Sequence, residues 1–352
     1  MPTTSPQRNP PHTPPHTPPH TPPQTPPQTP PQTQTRRDQL ADPPNAAPVP
    51  ELPHALDADR RLIGGAGPRL AAYLSMPVAS GSTADLHPLL LVHSINAAAS
   101  AAELRPVFNR WRNTRPVLAL DLPGFGASQR GRMVYTPALM AQSIGRALAH
   151  LQQAGFHQRV DLMAVSLSCE FATQVALGQP ERVRSVALVS PTGLESDRPE
   201  RYEDGRSKDK PWLRALLERG PWAGPLFKLL TREATMRHFL ERTWGSPYID
   251  ESLLAYNLKS VRQPGACHAP YAFIAGALFT RGVASLYAKL RQPVWLAHGQ
   301  RGEFADFDGL AALGPRPHWT VDVFDTGAMP YFERPAQFGT SFEQFVQRLP
   351  PA

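Results

Sequence analysis

The stretch from Val160 to Ala172, Val-Asp-Leu-Met-Ala-Val-Ser-Leu-Ser-Cys-Glu-Phe-Ala, constrains the chain more than any other. An apolar run suited to a buried strand leads into Ser166, and a helical pattern starts almost at once. Strand and helix can be joined so abruptly only if the turn's flanks are small, because the two backbones come close together there. Ala164 and Ser168 meet that need.

Comparable apolar runs recur at Pro88 to Ser94, Pro116 to Asp121, Arg184 to Ser190, Pro293 to Gly299 and Thr320 to Asp325. Short continuous runs of this kind suit strands buried on both faces. Helical patterns separate them: Ala98 to Trp111, Pro137 to Ala154 with Leu139, Ile144, Leu148 and Leu151 on one side, and a last one from Pro335 to Leu349. Arg60 to Ile63 and Leu70 to Met76 read as an edge hairpin. Strands alternating with helices predict an α/β fold, with a mostly parallel sheet covered by helices on both faces. From Leu194 to Gly282 the strand rhythm stops. Charged turns from Glu195 to Lys210 and helical pieces at Trp212 to Arg219 and Leu226 to Thr243 predict a helical insertion.

The beginning of the chain is different. Residues 10–33 repeat Pro-Pro-His-Thr three times and then Pro-Pro-Gln-Thr three times. Nothing there is apolar enough to bury, so a disordered Pro-rich tail is expected over residues 1–53. The predicted core is then residues 57–193 and 286–352, with the helical insertion at 194–285. His12, His16 and His20 read as part of a solvated linker, not a metal site. The two cysteines, Cys169 and Cys267, are too few for a disulfide framework and lie in no metal-binding spacing. No metal or cofactor is expected. The net charge of +7 is spread without a block, which argues against a nucleic-acid partner. No signal peptide and no membrane-spanning run is visible, so a cytoplasmic location and no membrane partner are the default expectations. The oligomeric state is not legible.

With these elements placed, residues 57–352 resemble the α/β-hydrolase fold family. The most specific match is Asp121-Leu-Pro-Gly-Phe-Gly-Ala-Ser128, against the family's D-x-P-G-x-G-x-S. Ala164-Val-Ser-Leu-Ser168 stands where the family has its nucleophile elbow, G-x-S-x-G, with both glycines replaced. Leu91-Val-His-Ser-Ile-Asn96 resembles the oxyanion loop, and Pro180-Glu-Arg-Val183 and Phe332-Glu-Arg-Pro335 are further familiar segments. The insertion falls where the family carries a cap over its active site.

The resemblance implies Ser166 as nucleophile and the N–H groups of Ile95 and Leu167 as oxyanion donors. It also implies an acid and a histidine later in the chain. Those two positions are occupied by Gly302 and Ala328, and no histidine follows His318. Glu303, or Asp306 nearby, stands as a substitute acid. His268 stands as a substitute base, while His93 and His298 read as structural and Cys267 as a weaker candidate for the nucleophile. Glu170, one turn past Ser166, is either paired structurally with an arginine or hydroxyl or serves as a displaced acid or base. Two functions follow from the resemblance. One is an esterase-like serine hydrolase acting on a small or acyl ester through Ser166, His268 and Glu303. The other is an impaired or inactive member that binds a small apolar ligand under the cap. A third reading, a tail that recruits a partner, stands apart from the fold.

Overall fold

A computed structural model of the chain describes residues 51–77, 86–195 and 208–350. The Pro-rich repeats and most of the charged turn before Lys210 lie outside those residues.

Eight strands form one sheet: β1 (Arg60–Ile63), β2 (Leu70–Ser75), β3 (Leu89–Val92), β4 (Val117–Leu120), β5 (Val160–Val165), β6 (Val183–Val189), β7 (Val294–Gly299) and β8 (Trp319–Phe324). Their order is β1-β2-β4-β3-β5-β6-β7-β8. The β1–β2 and β2–β4 pairs are antiparallel and the rest parallel. In β3, β4 and β5 every residue is buried, as the unbroken apolar runs require. β8 alternates, because it is an edge strand with one face toward solvent.

Helices α1 (Arg105–Trp111), α2 (Pro137–Gln153) and α3 (Ser168–Gly178) join the early parallel strands. The Thr136 hydroxyl caps α2 by accepting from the Leu139 N–H at 3.1 Å, and Pro137 starts the helix where no N–H is needed. Its buried stripe of Met140, Ile144, Ala147, Leu148 and Leu151 packs on one face of the sheet. α1 begins later than the pattern suggests. Ala101–Leu104 form a 3₁₀ turn first, because Pro106 cannot donate into a continuous helical ladder. α1 and the C-terminal helix cover the opposite face, where Trp295 packs edge-on against Phe338 at 4.9 Å.

Between β6 and β7 the described residues carry six helices and no strand: α4 (Pro211–Arg219), α5 (Ala223–Leu230), α6 (Glu233–Trp244), α7 (Glu251–Ser260), α8 (His268–Ile274) and α9 (Val283–Ala288). The single helix expected from Leu226 to Thr243 is broken between α5 and α6. Thr231 donates its hydroxyl back to the Phe227 carbonyl at 2.6 Å, and Arg232 is extended. After β8 come α10 (Pro330–Glu333) and α11 (Pro335–Gln347). The packed chain starts earlier than Asp57, since Leu52, Ala55 and Leu56 are already buried.

At the end of the parallel strands opposite Ser166, Asp161 is a buried anchor. Its carboxylate accepts from Arg115 and Arg184 at 2.5 and 2.7 Å and from the Ser185 hydroxyl at 2.6 Å. Burial alone would raise its pKa, but the two guanidinium groups and the hydroxyl outweigh that and hold it below the usual value.

Candidate active site

Parallel pairing aligns the strand ends. Val165 is opposite Val189, and Val189 is opposite Ala297. His93, Asp121, Ser166 and Ser190 therefore follow the ends of their strands along one edge of the sheet, and His298, still paired with Val323 of β8, lies level with them. Ser166 has φ of 55°, a left-handed conformation that costs a non-glycine residue about 1–3 kcal/mol. The turn is held by Ser166 N–H to the Val189 carbonyl at 2.8 Å and Cys169 N–H to the Ser166 carbonyl at 3.0 Å. Cys169, fully buried, donates its thiol to the Ala164 carbonyl at 3.2 Å, and burial pushes that thiol's pKa well up. The serine itself is half-buried while Leu167 and Ser168 are buried. Among the described residues no side chain hydrogen-bonds to the Ser166 hydroxyl, and the N–H groups of Ile95 and Leu167 have no protein acceptor.

The loop carrying Ile95 is braced by a residue that sequence reasoning passed over. The buried Glu103 accepts from the Ser94 N–H at 3.0 Å and from the Asn96 side-chain amide at 2.7 Å. Asn96 in turn accepts from the Ala98 N–H at 2.8 Å. Burial raises the Glu103 pKa, partly offset by these bonds. The only signal in the sequence was a lone carboxylate inside an otherwise apolar helical pattern.

His93 is spent on the backbone. Its Nδ1 lies 2.6 Å from the Ser94 carbonyl, which can only accept, and its Nε2 accepts from the Leu122 N–H at 3.0 Å. Both partners together fix the tautomer, and burial lowers the pKa to about 4. Asp121 is similarly committed to the turn below, accepting from Ala101 and Ala127 N–H at 2.7 and 2.8 Å. Burial lifts its pKa to about 6. Gly126 is required there, since a Cβ on it would lie 2.0 Å from the Asp121 carboxyl. His298 has Nδ1 at 3.0 Å from the Gly299 carbonyl and its ring 4.0 Å from Phe307. Glu170 turns out to be a staple: it accepts from the Thr192 hydroxyl at 2.6 Å and from the Thr280 N–H at 2.7 Å. It thereby ties α3 to the chain leaving β6 and to the end of the helical insertion.

Backbone closes in on the acid position, Gly302, and on Gly327, the neighbour of the base position Ala328. Gly302 (φ 87°) and Gly327 both lie against the C-terminal end of α6. A Cβ on Gly302 would stand 2.6 Å from the Arg242 carbonyl, and one on Gly327 would stand 2.4 Å from the Thr243 carbonyl. Ala328 donates its N–H to the Thr243 carbonyl at 2.9 Å and accepts the Ser190 hydroxyl at 2.8 Å. Ser190 itself has φ of 45°. Thus Ala328, at the position where the family has its histidine, is held between Ser190 and the end of α6 and offers only a methyl group.

The substitute candidates lie as follows. Glu303 is exposed and pairs with Arg242 at 2.8 Å. His268 opens α8, where its neighbour Ala269 packs on Gly124, so close that a Cβ there would lie 2.4 Å away. The His268 Nδ1 is buried without a hydrogen-bond partner, and burial and then the charge of Arg132 lower its pKa, keeping it neutral at pH 7. Among the described residues no hydrogen bond joins His268 to Ser166 or to Glu303. No group of three or more His, Cys, Asp or Glu side chains placed to hold a metal occurs among them either. A groove of about 760 Å³ along α1, between His54 and Arg112, includes no residue of the elbow.

Comparison with known proteins agrees with the fold. The human protein named 1-acylglycerol-3-phosphate O-acyltransferase ABHD5 is 24% identical over 282 residues, covering 74% of this chain and 78% of its own. Esterase FrsA of Yersinia pestis is 32% identical over 75 residues, only 21% of this chain and 18% of its own. Among solved structures, a probable hydrolytic enzyme from Pseudomonas aeruginosa superimposes with a TM-score of 0.63 at 20% identity, covering 84% of this chain and 96% of its own. A serine hydrolase of carbazole degradation has the same TM-score at 15% identity, covering 82% and 98%. The family model for the alpha/beta hydrolase fold matches residues 87–335. Eight strands in this order, the left-handed Ser166 turn and that match place the chain in the α/β hydrolase fold family.

Proposed function

We propose that this is a hydrolase-fold protein that binds an acyl ester or carboxylate at the Ser166 elbow and turns it over slowly or not at all. The observation that carries this reading is Ala328. Its loop is fixed by hydrogen bonds at both the N–H and the carbonyl, and the adjoining Gly327 is packed against the Thr243 carbonyl. A serine without a base to take its proton is a poor nucleophile. The unoccupied N–H groups of Ile95 and Leu167 and the brace at Glu103 support retention of an anion- or carbonyl-binding point. Acyl chemistry as the ligand class draws on the name of the ABHD5 relative.

The esterase reading, with His268 as base, stands second. It is favoured by the unpartnered, neutral Nδ1 of that residue. Hydrolysis of short-chain nitrophenyl esters by the wild type, Ser166→Ala and His268→Ala separates the two. Slow turnover, little changed by His268→Ala, is expected, because loss of triad members leaves roughly 10³–10⁴-fold catalysis over water. Brisk turnover abolished in both variants would establish the esterase instead.

A further inference from the structure

We propose that the outer face of α4 and α5 docks on an anionic lipid surface. α4 buries none of its residues fully and α5 buries only Phe227, so each helix keeps an exposed face. Trp212, 66% exposed, and Leu216 lie one turn apart on α4. The Trp222 indole, itself 48% exposed, donates to the Leu216 carbonyl at 2.9 Å and so ties the start of α5 to α4, and Leu229 and Leu230 are exposed on α5. Large apolar patches of this kind mark interaction surfaces.

Charge identifies the partner. Residues 208–232 hold six basic side chains, Lys208, Lys210, Arg214, Arg219, Lys228 and Arg232, against two acidic ones, Asp209 and Glu218. Lys210, Arg219, Lys228 and Arg232 are exposed, and among the described residues none has a carboxylate within ion-pair distance. Tryptophan and leucine interleaved with lysine and arginine is the composition of helices that lie in a membrane interface. A second copy of the chain fits less well, since a two-fold contact would set this cationic face against itself. Among the described residues no helix is long and apolar enough to cross a membrane, so the contact proposed is with the surface alone. The insertion leaves β6 and returns at β7, so docking brings the lipid toward the Ser166 edge. That consequence rests on the reading of Ser166 as an acyl-binding serine; the docking itself does not.

The test is co-sedimentation of the full chain with vesicles of phosphatidylcholine alone or mixed with phosphatidylserine. The mixed vesicles are expected to pellet the protein, less so as salt is raised. The double variant Arg219→Gln/Lys228→Gln should bind about 30-fold more weakly, at about fivefold per charge. Trp212→Ser should also weaken pelleting and remove part of a vesicle-induced blue shift in tryptophan emission. Circular dichroism and melting must show each variant folded. Ser166→Ala should pellet like the wild type, which separates this proposal from the one about the serine. Equal pelleting by both vesicle types, no pelleting, or unchanged binding by the double variant overturns it. A dimer in solution without vesicle binding would do so as well, by giving the face to a second copy.

Discussion

At the scale of single residues, the polar groups along the sheet edge divide sharply between used and unused. His93, Asp121, Glu103 and Glu170 are buried, and each is consumed by neighbouring hydrogen-bonding groups, mostly of the backbone. Ser166 stands in a strained turn, and among the described residues no side chain hydrogen-bonds to its hydroxyl. His93 allows a direct check. Its folded pKa is about 4, below the 6.5 of an unfolded histidine, so between those values the unfolded state binds more protons. The stability contributed by neutral His93 is therefore full above pH 6.5 and is lost as the pH falls toward 4. At 1.36 kcal/mol per unit, the whole window is worth on the order of 3 kcal/mol. Asp121, raised to about 6, works in the opposite direction, which hides the effect in the wild type. Urea unfolding of His93→Gln beside the wild type reveals it. The variant should be less stable at pH 7, with a gap that narrows as the pH is lowered to 5. A widening gap would mean that His93 is already protonated in the fold, and a constant gap that the fold does not lower its pKa.

At the scale of elements, the decisive contact is between α6 and the two loops that follow β7 and β8. α6 ends at Trp244 with Gly245 in a left-handed conformation, and that glycine meets the backbone of Gly302. The sequence displayed the absence of an acid at 302 and of a histidine at 328. It did not display that a helix end lies against both loops, because glycines 245, 302 and 327 are far apart in the chain and each reads as an ordinary turn residue. Gly302→Asp, which restores the expected residue type, should therefore fail to restore activity. Its Cβ meets the Arg242 carbonyl, and its φ of 87° suits only glycine, so a loss of about 1–3 kcal/mol is expected from the backbone alone. Equilibrium unfolding measures the loss. An aspartate variant as stable as the wild type, with increased ester turnover, would show that the α6 contact yields easily.

At the scale of the whole molecule, the sheet was the most legible part. Fully buried parallel strands must be continuously apolar, so β3 to β7 announced themselves, and the Asp121–Ser128 turn could be matched residue by residue. The helical insertion was legible only as a loss of strand rhythm. Its break between α5 and α6 depends on one hydroxyl, that of Thr231, and its docking on the turn after β4 depends on long-range packing at Gly124 and Gly265. Of the candidate site, the tight left-handed turn at Ser166 was readable by position. The surroundings of Glu303 and His268 were not, because the pairing of Glu303 with Arg242 and the packing of α8 join segments distant in the chain. The central claim is that the molecule keeps the elbow and has lost the means to activate it. Intact-mass spectrometry after exposure to a fluorophosphonate, with Ser166→Ala as reference, addresses that claim most directly. The account predicts no adduct, or one that accumulates far more slowly than on a hydrolase with a complete triad. A rapid, stoichiometric adduct on the wild type that is missing from Ser166→Ala would contradict it.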